Sequence, residues 1–332
     1  MLKTSADPQL QGPSPEVEAA YRDVRAQLDP TAAEAWPALR RRLAGLMQEG
    51  VQAKDFQKRL AFIEAGVRLT LEDQEDESLF VLVQMLSDRS YGYSATHALT
   101  AAAICLMIGP QAQIGEPELS ALLRAALTMN IGMATLHDQL ALQTHTASES
   151  QKAQIRRHPD AGVDVLRQLG VDDPLWLNLV AEHHEAPDGS GYPLGKRELS
   201  PVQQLLRMSD VFIARISPRI SRRGLWPNVA VGKLYLEAQA QSSPLGAIFA
   251  KHLGMYPPGT YVRLKSEETA VVVRRGERVN TPVALAITDP DGMALSTPRK
   301  RDTQHPGYSV KSPISPEDVK IRLDKARLLK RI

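Results

Sequence analysis

Apolar residues recur at three- and four-residue steps, with charges between them, over 32–47 and 56–71. That period predicts helices with one buried face. Asp29-Pro30 marks a break within this first helical region. The same reading places helices at 94–108, 118–131, 148–157, 159–169, 174–185, 201–216 and 229–240. Ser200-Pro201 is a good helix start, a serine cap followed by proline in the first turn. Near Tyr256-Pro257-Pro258-Gly259 the pattern changes. Residues 260–264, 269–274 and 282–288 are β-branched and apolar runs between polar turns, which predicts a small antiparallel sheet. Asp289-Pro290-Asp291-Gly292 is a strong turn signal. The fold class is therefore mainly α, a helical bundle with a small antiparallel β segment near the C-terminus. Its expected parts are a flexible tail (1–15), an N-terminal helical region (16–75), a helical domain (76–255), a β extension (256–296), and an irregular connection with a basic C-terminal helix (297–332). The basic end at 317–331 reads as a solvated helix face in preference to a binding patch.

Composition adds little beyond exclusions. Among 332 residues, 43% are hydrophobic and 23% charged, as in soluble globular chains. A net charge of +2 lacks the basic excess that would favour DNA or RNA. Cys105 is the single cysteine, so no intrachain disulfide forms and the cytoplasm is the natural compartment. It lies in an apolar run and reads as a buried small hydrophobe. The run near 98–109 is too short to cross a bilayer, and no membrane partner is expected.

The chemistry concentrates in His183-His184-Glu185-Ala186-Pro187-Asp188-Gly189-Ser190-Gly191-Tyr192-Pro193. Adjacent helix positions point about 100° apart. Both imidazoles can reach one cluster only at a loosened helix end, which Pro187 and Asp188-Gly189 provide. Beside two carboxylates, such a pair points to metal ligation. Asp210 borders the apolar stripe of 201–216, and a buried carboxylate needs a cation or a paired charge. The alternative is a salt bridge to Arg207 or Arg215. His97, in an apolar helix, and His158, before Pro159, complete a ligand set spread over several helices, as metal sites in bundles are.

The stretch 183–193 resembles the signature of the HD-GYP family, bacterial metal-dependent phosphodiesterases of the HD superfamily that hydrolyse cyclic di-GMP. The resemblance covers about 76–255. His97 matches the early histidine, the Ile155–His158 run the next ligand segment, and Asp210 the distal aspartate. Arg219 and Arg222 fall where the family carries phosphate-contacting basic residues, and Gly191-Tyr192-Pro193 is intact. The departure is the His-Asp motif itself, where this chain has Met129, Asn130 and, for the motif lysine, Met133. The literal His137-Asp138 is not a replacement. Asp138 matches a later aspartate of the family, and His137 stands for its proline.

The resemblance implies two metals sharing a bridging aspartate. Asn130 offers one neutral oxygen and an NH2 instead of two anionic oxygens, and Met129 a soft thioether. One position then keeps only His97 and Asp210. The other keeps His158, His183 and His184, three imidazoles able to hold Zn, Fe or Mn and activate a bound water. At most one divalent ion is expected. Glu185 and Asp188 are expected to orient histidines or shape the turn, and Tyr192, Arg219 and Arg222 to contact nucleotide or a signalling protein partner. Three readings stand. The first is a degenerate member binding cyclic di-GMP, or a related nucleotide, or a partner protein. The second is an active phosphohydrolase using the retained histidines. The third is a scaffold with neither metal nor ligand.

Overall fold

A computed structural model describes residues 15–321, 324, 328 and 329. The expected tail 1–15 lies outside these residues but for Pro15, which opens α1 (Pro15–Gln27). There follow α2 (Ala32–Glu49), α3 (Phe56–Leu71), α4 (Glu75–Ser87), α5 (Ser94–Ile108), α6 (Glu118–Thr128), α7 (Ala134–Leu142), α8 (Glu149–Gln168), α9 (Pro174–Glu182), α10 (Pro201–Ile216), α11 (Pro227–Ala240) and α12 (Leu245–Leu253). The helical class holds.

Helix α5 is apolar around its whole circumference and is buried along all but Leu106. Such a helix belongs at the centre of a bundle, and α4, α6 and α10 pack around it. Cys105 is buried there, and burial pushes its thiol up to about 12. The segment Glu118–Leu142 has the length and apolarity of a membrane span, yet most of its apolar stretch is buried within the fold and it is broken by a 3-10 turn at Ile131–Met133. Serines 148 and 200 each cap a helix through reciprocal bonds with Gln151 and Gln203.

Two helix expectations need correction. Pro159 does not separate two helices: α8 runs through it as one. A proline inside a helix removes one N–H and frees the carbonyl four residues earlier; here that carbonyl, Ile155 O, finds another donor, His158 Nδ1. Helix α9 stops at Glu182, three residues short of the expected end, leaving His183 at its C-cap.

The sheet is larger than expected. Five antiparallel strands lie in the order β4-β3-β2-β1-β5, with β1 Tyr261–Leu264, β2 Thr269–Arg274, β3 Val283–Thr288, β4 Ala294–Asp302 and β5 Val310–Ile314. Strands β4 and β5 occupy most of the stretch read as irregular connection. Both are edges, and edge strands tolerate the prolines (Pro298, Pro313) and charges that hid them from a pattern reading. The expected helix at 317–331 begins as a 3-10 turn, Pro316–Asp318, with no helix at 319–321; most of the rest lies outside the described residues.

The sheet is fastened to α4. Gln84 donates to Gly259 O at 2.7 Å and accepts from Tyr261 Oη at 3.2 Å. Gly259 has φ 92, and a side chain there would meet Val83 Cβ at 2.8 Å, so this close approach requires glycine. Arg275 ties the sheet to Glu75 (2.6 Å) and Asp76 (2.5 Å).

Candidate metal centre

His158, on α8, and His183 and His184, at the end of α9, come together as expected. One ligand atom from each lies within 4.8 Å of the others. Their orientation is set by the backbone. His158 Nδ1 donates to Ile155 O at 2.5 Å, the carbonyl that Pro159 leaves free, and His183 Nδ1 donates to Val180 O at 2.7 Å. A carbonyl can only accept, so both imidazoles carry their hydrogen on Nδ1 and their lone pair on Nε2. The two Nε2 atoms face each other at 3.0 Å. Burial, then the neighbouring His184, lowers His158 to about 4. Burial also depresses His183 and His184. All three are neutral at pH 7, so no hydrogen lies between the facing lone pairs of His158 and His183. A cation satisfies that arrangement, and the residues fit one.

Asp210, on α10, is buried and reaches both parts of the centre. Its Oδ1 lies 2.8 Å from His97 Nε2 and its Oδ2 3.6 Å from His184 Nδ1. Burial works against its charge, but the His97 hydrogen bond and the imidazoles around it hold the carboxyl well below the usual range. Among the described residues no arginine pairs with it: Arg207 and Arg215 both turn to Glu237, at 3.5 and 2.7 Å. A carboxylate accepts, so His97 Nε2 carries a hydrogen, and its Nδ1 lies 3.2 Å from Tyr93 Oη. His97 and Asp210 are thus bonded to each other, an arrangement opposite to that of the histidine trio.

The departed motif lies against α8. Met129 and Asn130 are buried, and Asn130 Nδ2 has no hydrogen-bond partner among the described residues. Met133 is half-buried. Gly132 sits so close to α8 that a side chain there would meet Gly162 N at 2.5 Å and His158 O at 2.6 Å. This turn is therefore packed directly against the backbone of His158. Asp138 holds the fold together here. Its Oδ1 accepts from the N–H groups of Tyr93 and Ser94, both at 2.7 Å, fixing the start of α5. His137, which the sequence did not favour as a ligand, is buried against Tyr93 (ring centroids 4.5 Å) and His97 (5.3 Å). Burial, then His97 and Arg219, keeps it neutral, and its Nδ1 is unpartnered among the described residues. Its place between Leu136 and Leu140 on α7 was the available signal.

Glu185 and Asp188 shape the turn, and no hydrogen bond joins either to a histidine among the described residues. Glu185 is fully buried and accepts from Leu194 N (2.5 Å) and Lys196 N (2.8 Å). Asp188 accepts from Ser190 N and Oγ at 2.9 and 2.6 Å. This turn presents Tyr192, whose ring stacks on His184 (4.7 Å, 28°) with Arg156 5.5 Å from its centroid. Arg156 was missed in the sequence, where it read as part of a ligand segment. Arg219 lies 5.3 Å from the Tyr93 ring centroid, beside the His97 pair. Arg222 donates to Ala214 O at 2.5 Å, and burial lowers its basicity. Arg219 and Arg222 also pair through their backbones.

Comparison with known proteins agrees with this geometry. Residues 80–242 match the family described as HD domain. A cyclic di-GMP phosphodiesterase of Pseudomonas aeruginosa is 26% identical over 209 residues, covering 62% of this chain and 50% of that protein. The cyclic di-GMP phosphodiesterase response regulator RpfG of Xanthomonas campestris is 26% identical over 209 residues, covering 60% and 54%. A 3'3'-cGAMP-specific phosphodiesterase of Vibrio cholerae is 25% identical over 179 residues, covering 53% and 39%. The chain spans about half the length, or less, of these curated relatives. An HD-GYP-type protein from Bdellovibrio bacteriovorus shares the fold, with a TM-score of 0.50 at 18% identity over 70% of this chain and 74% of that one. Residues 80–242 thus match the HD domain family, with a histidine cluster at the heart of the helical bundle.

Proposed function

We propose that the chain is a cytoplasmic HD-GYP-like protein of cyclic di-GMP signalling whose metal centre is half retained. In this reading His158, His183 and His184 hold one divalent ion, Fe, Mn or Zn, which when bound supplies an electrophile for a phosphate oxygen and acidifies water. Hydrolysis of the phosphodiester is weak or lost, and the protein acts by binding nucleotide or a partner protein. The observation that carries it is the opposed state of the two ligand sets. His158 and His183 aim lone pairs at each other over 3.0 Å, while His97 and Asp210 are bonded together at 2.8 Å. With Met129 and Asn130 where the family resemblance expects histidine and aspartate, that position offers no bridging carboxylate. The chain's own residues still suit a nucleotide: Tyr192 and Arg156 offer a stacked face, and Arg219 a charge for phosphate.

Titration of metal-replete protein with cyclic di-GMP, followed by a turnover assay, tests this. Saturable binding without ordinary enzymatic turnover is expected. Efficient hydrolysis would overturn it in favour of the second reading, an active phosphohydrolase. That alternative draws on the relatives, all named as phosphodiesterases, and on Asp210 standing 3.6 Å from His184.

A further inference from the structure

Helices α1, α2 and α3 line an open cavity of about 650 Å³, none of whose lining residues belongs to the metal centre. Small-molecule sites span roughly 300–1,000 Å³. On its wall the Arg42 guanidinium lies over the Phe62 ring, 4.3 Å from the centroid, and Nη2 donates to Gln27 Oε1 at 3.2 Å. Neither Arg42 nor Lys58, also on the wall, forms an ion pair among the described residues. Asp55, at the mouth of α3, has φ 51, a left-handed conformation uncommon outside glycine and frequent at ligand clamps. Asp23 adds an acceptor.

A guanidinium already packed on a ring is a platform for a second flat group, and a free ammonium is a compact site for negative charge. Helix α3 also leads to the metal centre. Glu64, two residues past Phe62, is fully buried and accepts from Arg124 Nε at 2.8 Å. Arg124 lies 5.9 Å from the centroid of Trp176 on α9, the helix that ends in His183. At the other end of α3, Gln57 donates to Gly170 O at 2.7 Å, in the turn that feeds α9.

We propose that this cavity is an input site for a planar organic anion, stacked on the Arg42–Phe62 pair with its charge on Lys58, and that its occupancy is felt at α9. The binding half stands independently of the proposed function; the link to the metal centre rests on it. Two sources share the chemistry, a nucleoside monophosphate and an aromatic carboxylate. The full chain is titrated calorimetrically with GMP and with 4-hydroxybenzoate, each to about 1 mM. One of the two is expected to bind saturably, which names the source. Its affinity should fall at least about tenfold in the Arg42→Gln/Lys58→Gln variant and hold in Arg219→Gln. Neither substituted side chain is buried, so the core is spared. The same probe should slow amide exchange over 174–184. The inference is overturned by no saturable binding of either probe, by binding indifferent to the double substitution, or by unchanged exchange at 174–184. Failure of cyclic di-GMP to bind would instead overturn the proposed function, leaving the cavity's own titration as the judge of this one.

Discussion

The two halves of the centre are built from the same kinds of residue and do opposite things. In one, backbone carbonyls of Ile155 and Val180 take the Nδ1 hydrogens, so that the Nε2 lone pairs of His158 and His183 converge. In the other, a carboxylate takes the Nε2 hydrogen of His97, and the imidazole has no lone pair left on that side. The difference shows that a buried histidine is a ligand or a hydrogen bonder according to what holds its other nitrogen. In the proposed reading the first half holds a cation and the second does not.

Substitution separates the halves most sharply. His183→Ala should weaken metal binding by more than about 100-fold, beyond what loss of an outer partner of a ligand gives, while His97→Ala should leave it within about tenfold. Competition against a chelator measures both, and equal losses would erase the distinction.

Acid comes next. Unfolded histidines take up protons near 6.5, whereas burial lowers His158 to about 4 and depresses His183 and His184. The unfolded chain therefore binds more protons between those values. Stability of metal-free protein should be full above about pH 6.5 and fall as pH drops toward 4, by roughly 3 kcal/mol from His158 alone. Urea midpoints across that window check the slope, and a flat profile would mean the imidazoles are not held neutral.

The supports of the two halves should differ more modestly. Glu185→Ala strands the Leu194 and Lys196 N–H groups and should cost about 2 kcal/mol, with faster amide exchange confined to 189–196. Asp138→Ala removes the cap on Tyr93 and Ser94 and should cost about 1 kcal/mol, with fraying at the start of α5. Exchange that spreads from either site into the other half would show that the halves are not independent.

The histidine trio, Asp210 and the bundle were legible because each leaves a local mark: a turn beside paired histidines, a carboxylate on an apolar stripe, helical periods. What stayed hidden left no such mark or depended on partners distant in sequence. Pro159 looked like a helix break because the sequence pattern does not say that the adjacent His158 will take over the freed carbonyl. Strands β4 and β5 carry edge chemistry, without alternation, and so read as loop. His137 could be judged only once Tyr93 and His97 were beside it. The Asp210 partner was open until His97 was seen beside it and Glu237 was seen to claim Arg207 and Arg215.

The metal content of the chain, loaded anaerobically with Mn, Fe or Zn, tests the central claim most directly. One ion per chain is predicted, lost in His183→Ala and kept in His97→Ala. Two ions per chain, or a single ion that survives His183→Ala, would contradict it.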